Sequence, residues 1–251
     1  SGHWNLLDQA DKKGFTPMQE AILNGSHESF IKIFVKSIQS LRSKQFPDGE
    51  NEFHVAAKSG FLPVFSFYTL SNILQYITGN SNHSGQTPLE LAVLNGHLGV
   101  VRLIYSHGRI SKKVITQSLS LAEANNQKVI LEYLTTGKVE NAPTYEDLKA
   151  HPEKMTELIN NGLDINGLQN GKTMLHRAID DDDLELVKRM IFEGGALITV
   201  KAACDKPDIV AESGRGLPAF YYAAFIGRPR IVEFLNETFY ANDRAFRTFL
   251  N

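Results

Sequence analysis

The chain has 251 residues, of which 42% are hydrophobic and 22% charged, and its formal net charge is −2. That much apolar material excludes wholesale disorder, and the near-neutral balance excludes bulk electrostatic steering toward nucleic acid or an anionic membrane. No apolar run reaches the roughly 18 residues a membrane-crossing helix needs.

In chain order, Ser1-Gly2-His3 reads as a tag remnant, and the fold is expected over 4–240. The first patterned stretch, Gly14-Phe15-Thr16-Pro17 through Asn24-Gly25, predicts a helix capped by Thr16, with Pro17 at the first helical position, where no amide donor is needed. Gly49 to Gly60, containing Phe53-His54-Val55-Ala56-Ala57, is a weaker copy. Gly85-Gln86-Thr87-Pro88-Leu89-Glu90-Leu91-Ala92-Val93-Leu94-Asn95-Gly96-His97 is the clearest. Leu119 to Ala124 followed by Val129 to Leu134 lacks the Thr-Pro start. Thr144 to Ala150 predicts a shortened helix with an outer partner from Glu153 to Asn161. Gly171-Lys172-Thr173-Met174-Leu175-His176-Arg177-Ala178-Ile179 and Gly216 to Gly227 complete the series. Glycine after each helix permits the left-handed conformation that ends it. Apolar spacing in Val100 to Ile104 and Ile231 to Leu235 marks outer helices with one buried stripe.

Self-similarity fixes the organisation. The anchor alanines Ala21, Ala56, Ala92 and Ala122 are 35, 36 and 30 residues apart. Ala122 to Ala178 is 56, which leaves room for the degenerate unit at 144–162, and Ala178 to Ala223 is 45, which signals an insert at 199–213. A helix pair cannot bury its apolar face alone, so stability must come from stacking on neighbours.

These stretches resemble the ankyrin repeat, with its Gly-x-Thr-Pro-Leu-His-x-Ala-Ala opening; Leu158-Ile159-Asn160-Asn161-Gly162-Leu163-Asp164-Ile165-Asn166 is similar to its closing segment. The resemblance implies an all-α solenoid of about seven helix–turn–helix repeats with short hairpin loops, near 14–44, 49–78, 85–108, 117–137, 144–162, 171–195 and 216–236. Residues 241–251 are then expected to form a capping helix. The resemblance also implies that His54 and His176 bond hairpin backbone as structural groups. At Asp182, where the pattern expects Gly, the sequence reads Asp180-Asp181-Asp182-Asp183.

By the same resemblance, a protein partner is contacted at hairpin tips and at the residues just before the helix-ending Gly, through a concave groove. The hairpin positions are Lys12, Lys13 and Phe15, then His83, Ser84 and Gln86, then Gln169, Asn170 and Lys172, and finally Arg215 and Leu217. The helix positions are Leu23, Asn24, Lys58, Ser59, Leu94, Asn95, Asp180, Asp181, Phe225 and Ile226. Leu23, Leu94, Phe225 and Ile226 are apolar and so are candidate anchors, against the alternative that they pack under the hairpins.

Charge is uneven. From 61 to 139 six Lys/Arg face three Asp/Glu, and from 140 to 195 six face twelve. The acidic run at Asp180 could meet a basic peptide or be a solvated junction; it lacks the spacing of a calcium loop, so no metal is expected. Cys204 is the single cysteine, which excludes an internal disulfide and fits a reducing, cytoplasmic compartment. It reads as a small apolar filler or an exposed thiol on the insert.

The expected function is non-catalytic protein binding by a monomer, with no cofactor, no nucleic acid and no membrane insertion. The alternative is a regulatory or recruiting arm of a larger enzyme or secreted bacterial effector, acting in the host cytosol in the latter case. The effector idea comes from Phe- and Asn-rich degenerate repeats, and a eukaryotic cytosolic scaffold is its rival.

Overall fold

The computed structural model describes residues 11–12, 14–27, 29–30, 33, 48–70, 80–107, 110–202 and 216–240. Lys13, Cys204, Arg215, most of the 199–213 insert, the opening tripeptide and the expected cap at 241–251 lie outside the described residues. The chain forms two units, residues 1–142 with 159–162, and 143–158 with 163–251. The described residues contain no extended strand, only two isolated antiparallel bridges, Gln169 with Lys172 and Ala202 with Leu217.

The first unit contains α1 (Pro17–Leu23), α2 (Glu52–Ser59), α3 (Leu62–Leu70), α4 (Pro88–Leu94), α5 (Leu98–His107), α6 (Lys112–Ala124) and α7 (Lys128–Thr136). Helix starts follow local chemistry. Thr16 and Thr87 accept the amides of Gln19 and Glu90 (3.4 Å each), whose side chains return to the Thr16 and Thr87 amides (2.8 and 2.7 Å). These are reciprocal capping boxes with Pro at the first helical position. α2 uses Asn51 instead, with His54 closing the box. α6 begins at Lys112, ahead of the start near 117 read from the apolar pattern, because the Ser111 hydroxyl accepts the Val114 amide (3.3 Å) and sets the boundary.

Inner helices α1, α2, α4 and α6 pack side by side in that order, and outer helices α3, α5 and α7 form a second row. Ala56, Ala92 and Ala122 are fully buried between inner neighbours, where a larger side chain would push the backbones apart. Between the rows Phe53 packs edge-on against Tyr68 (4.7 Å) and Phe65 (5.8 Å), and Phe30 against Phe61 (5.4 Å) and Phe67 (6.1 Å). Burying one such ring stabilises the unit by about 1.5–3 kcal/mol. Gly60 ends α2 at φ 72°; a Cβ there would lie 2.6 Å from the His97 ring, so that site requires glycine twice over.

The second unit contains α8 (Tyr145–Ala150), a 3₁₀ turn (Pro152–Lys154), α10 (Met174–Asp180), α11 (Leu184–Phe192), α12 (Ala219–Phe225) and α13 (Pro229–Leu235), which continues into a π turn (Asn236–Tyr240). α9 (Met155–Asn160) begins in this unit, and its Ile159 and Asn160 group with the first. α10 packs on α12 and α11 on α13, with Ala178 and Ala223 fully buried at the inner seam. The bridge between Ala202 and Leu217 (3.0 Å in both directions) draws together the two ends of the long segment between α11 and α12.

Candidate partner-binding surface

Two buried histidines fix the hairpins against the inner helices. His54 Nε2 lies 3.2 Å from the Gln86 carbonyl, and its Nδ1 lies 3.2 Å from the Asn51 amide nitrogen and 2.7 Å from Asn51 Oδ1. His176 Nε2 donates to the Leu217 carbonyl (3.1 Å), and its Nδ1 accepts from the Thr173 hydroxyl (2.7 Å). Burial lowers both pKa values, that of His176 to about 4, so both rings are neutral at pH 7. Each holds a hairpin belonging to a different repeat, 32 and 41 residues away in the chain. These are structural roles.

In the first unit the expected contact positions fall into a row. Leu23 (46% exposed) and Asn24, Lys58 and Ser59, and Leu94 and Asn95 occupy the last residues before Gly25, Gly60 and Gly96 on α1, α2 and α4. Leu94 is half-buried, unlike Leu23. Lys58 pairs with Glu50, while its carbonyl accepts from His97 Nε2 (3.0 Å). At the hairpins Lys12 and His83 are exposed, and Phe15 and Gln86 are half-buried. Gln86 is held at both backbone groups, its amide by Asn82 (2.9 Å) and its carbonyl by His54.

In the second unit the hairpin tip is a two-residue turn in which Gln169 and Lys172 exchange backbone bonds (2.8 and 3.1 Å). The acidic run is engaged within the unit. Asp180 receives the Tyr222 hydroxyl (2.5 Å) and the Lys172 ammonium (2.7 Å). Asp181 receives the Tyr145 hydroxyl (2.9 Å) and the Lys149 ammonium (2.7 Å). Asp183 caps α11 through the Leu186 amide (2.9 Å). The Lys149 bond holds the Asp181 carboxyl below its usual range, with smaller help from Tyr145, and burial together with Asp181 raises the Tyr145 phenol. Burial opposes the charge on Lys172, but Asp180 and Tyr222 outweigh it and its pKa is raised. These bonds fasten α8 to α10 and α10 to α12. Among the described residues no group of three or more His, Cys, Asp or Glu is arranged to hold a metal ion.

Leu217 does not belong on a contact surface. It was expected at an exposed hairpin position, but it is buried (6% exposed), because its bridge to Ala202 and its carbonyl bond to His176 turn it inward. Phe225 is exposed (36%) and Ile226 half-buried. Sequence reasoning missed Leu168 (58%) and Tyr221 (55%), which with Leu23 and Phe225 are the exposed large apolar side chains among the described residues. Tyr221 had a usable signal, since it lies four residues before Phe225 and therefore on the same helix face.

Residues 84–113, spanning the second half of the Asn82–Thr87 hairpin, α4 and α5, match the family description "Ankyrin repeat". The chain contains an ankyrin repeat over these residues. Outside that match α1 and α2 repeat the capping box, and both α1–α2 and α10–α12 repeat the buried alanine seam. Over 92 residues (37% of its length) the chain is 32% identical to alpha-latrotoxin-Lh1a of Latrodectus hasselti, a stretch that spans only 7% of the toxin's length. Two solved ankyrin repeat domains align at 15% identity: that of Bcl-3, described as a unique member of the IkappaB protein family (TM-score 0.39, 90% of this chain and 87% of that one), and that of human ASB11 (TM-score 0.36, 82% and 100%). No described helix is long and apolar enough to cross a membrane.

Proposed function

We propose that this chain is a non-catalytic module that binds a protein partner through the concave groove of its repeats, contacting it with hairpin tips and with the residues that precede each helix-ending position. The observation that carries this reading is the side-by-side stacking of α1, α2, α4 and α6, which sets Leu23-Asn24, Lys58-Ser59 and Leu94-Asn95 at equivalent places on successive repeats. A preformed row of this kind binds without the ordering entropy that a disordered segment must lose. Leu23 in the first unit, and Tyr221 and Phe225 in the second, are apolar side chains that water solvates poorly, and they suit an anchoring role. The chain acts as a monomer, and its single cysteine suits a reducing, cytoplasmic setting.

The test is capture of a partner by crosslinking in lysate, followed by titration of the purified pair. Leu23→Arg combined with Phe225→Arg is expected to weaken binding about tenfold or more. Thr135→Arg, on the exposed side of outer helix α7, is expected to leave it unchanged. Equal binding by the double variant, or loss caused by the α7 control, would refute the groove.

A further inference from the structure

We propose that Asn170-Gly171, at the tip of the second unit's hairpin, is the site where the folded chain deamidates. The sequence holds five Asn-Gly pairs: Asn24-Gly25, Asn95-Gly96, Asn161-Gly162, Asn166-Gly167 and Asn170-Gly171. With Gly next in every case, the five are chemically alike in an unfolded chain. The reaction requires the Gly amide nitrogen, having given up its proton, to attack the Asn side-chain carbonyl carbon. The bond to Nδ2 breaks, ammonia leaves and a succinimide ring forms. Water then opens either ring carbonyl to give aspartate or isoaspartate, so that one water enters, one ammonia leaves and no redox partner is needed. Two things retard it in a fold: a tether on the carboxamide, and a hydrogen bond that holds the Gly amide away.

The structure separates the five on these two criteria. Asn24 Nδ2 donates to Glu20 (2.9 Å) and Asn95 Nδ2 to the Leu91 carbonyl (2.8 Å). Asn166 is held at both ends, donating to the Gly195 carbonyl (3.2 Å) and accepting the Leu197 amide (2.7 Å). Asn161 is exposed and its side chain makes no hydrogen bond, but the Gly162 amide donates to Ile159 (3.1 Å). The amides of Gly25, Gly96 and Gly167 are engaged in the same way, with Ile22, Val93 and Asp164. Only at Asn170-Gly171 are both groups released: Asn170 is exposed with an untethered carboxamide, and the Gly171 amide makes no hydrogen bond.

The reason is the turn itself. Asn170 (φ 52°) and Gly171 (φ 76°) are both left-handed, as a two-residue hairpin turn requires, and such a turn bonds through its flanks, Gln169 and Lys172, leaving the central amides to solvent. Swinging the Gly171 nitrogen onto the Asn170 side chain disturbs only those two flanking bonds. The product places a carboxylate next to Lys172, the partner of Asp180, and in the isoaspartate form adds a methylene to the backbone between Gln169 and Lys172.

The test is a time course of the folded chain at neutral pH, read by peptide mapping for conversion of amide to acid and by isoaspartyl-methyltransferase labelling. Asn161, Asn166 and Asn170 share the tryptic peptide 155–172, so fragment ions must assign the site. The expected result is conversion at Asn170 several-fold ahead of the other four, loss of most labelling in Asn170→Ser, and comparable rates at all five in urea. Another pair leading in the folded chain, equal rates there, or the same ranking in urea would overturn the assignment.

Discussion

The two units use the ends of their inner helices differently. In the first, the polar residue at this position bonds within its own helix: Asn24 to Glu20, Ser59 to the Val55 carbonyl, Asn95 to the Leu91 carbonyl and Asn125 to the Leu121 carbonyl. In the second, Asp180 and Asp181 at the end of α10 reach other elements, Tyr222 and Lys172 on one side and Tyr145 and Lys149 on the other. A side chain satisfied locally can be changed, or can meet a partner, without loosening the stack. A carboxylate that joins neighbouring helices cannot. The first unit's row is therefore the freer of the two to change, and the second unit's stability should respond more strongly to salt and, through His176, to acid, to which His54 also makes the first unit sensitive.

The largest expected effect sharpens this contrast through pH. His176 is held neutral with a pKa near 4, against about 6.5 when exposed. Between those values the unfolded chain binds a proton that the folded chain refuses, so stability is fully present above pH 6.5 and declines as pH falls toward 4, by about 3 kcal/mol in total. Urea titrations at successive pH values should show this slope, and His176→Gln should reduce it, leaving the smaller share that comes from buried His54. An unchanged slope in the variant would mean that another group controls the acid response. Asp181, whose pKa is lowered by Lys149, adds its own loss only below the ordinary carboxylate range, so the two windows are separable.

Next in size is the paired substitution. Asp180→Ala with Asp181→Ala removes four charge-assisted or hydroxyl bonds between elements, and about 2 kcal/mol of destabilisation is expected after allowance for their partial exposure. Asn24→Ala with Asn95→Ala, at the matching positions of the first unit, should stay within about 0.5 kcal/mol. High salt should shrink the first effect and leave the second alone. Equal costs in the two units, measured as urea midpoints, would remove the distinction.

What the sequence made legible was local. Thr16-Pro17 and Thr87-Pro88 announce their caps because the bonding partner lies three residues on, and glycines 25, 60 and 96 announce helix ends because the backbone there needs positive φ. His54 and His176 bond hairpin carbonyls as the resemblance implied. The acidic run was legible as a run but not as a set of joints, since Tyr145 and Tyr222 lie 36 and 42 residues from the carboxylates they meet. Leu217 looked like a hairpin tip because nothing nearby in sequence marks its bridge to Ala202. Of the candidate surface, Leu23 and Phe225 are exposed as an anchor must be, whereas Leu94 and Ile226 are half-buried beneath their neighbours.

The smallest predicted effect has the opposite sign. At the residue that ends each inner helix, the first unit has Gly25, Gly60, Gly96 and Asn126, with φ between 58° and 75°; the second has Asp182 at φ 57° and Gly227 at 74°. Among the described residues Asp182 is the one charged residue in this left-handed state, a conformation that a side chain disfavours by about 1–2 kcal/mol, less for Asp and Asn. Its carboxylate makes no hydrogen bond among the described residues, and it stands beside three further aspartates whose repulsion it increases. Asp182→Gly relieves both, while glycine's larger freedom in the unfolded chain takes back roughly 0.5–1 kcal/mol. The balance is a net stabilisation of about 0.5 kcal/mol. High salt should remove the part due to repulsion and leave the backbone part, which Asn126→Gly, lacking any charge, should match. If Asp182→Gly destabilises, the exposed carboxylate is contributing to the joint after all, and the whole acidic run, not only Asp180 and Asp181, fastens the second unit.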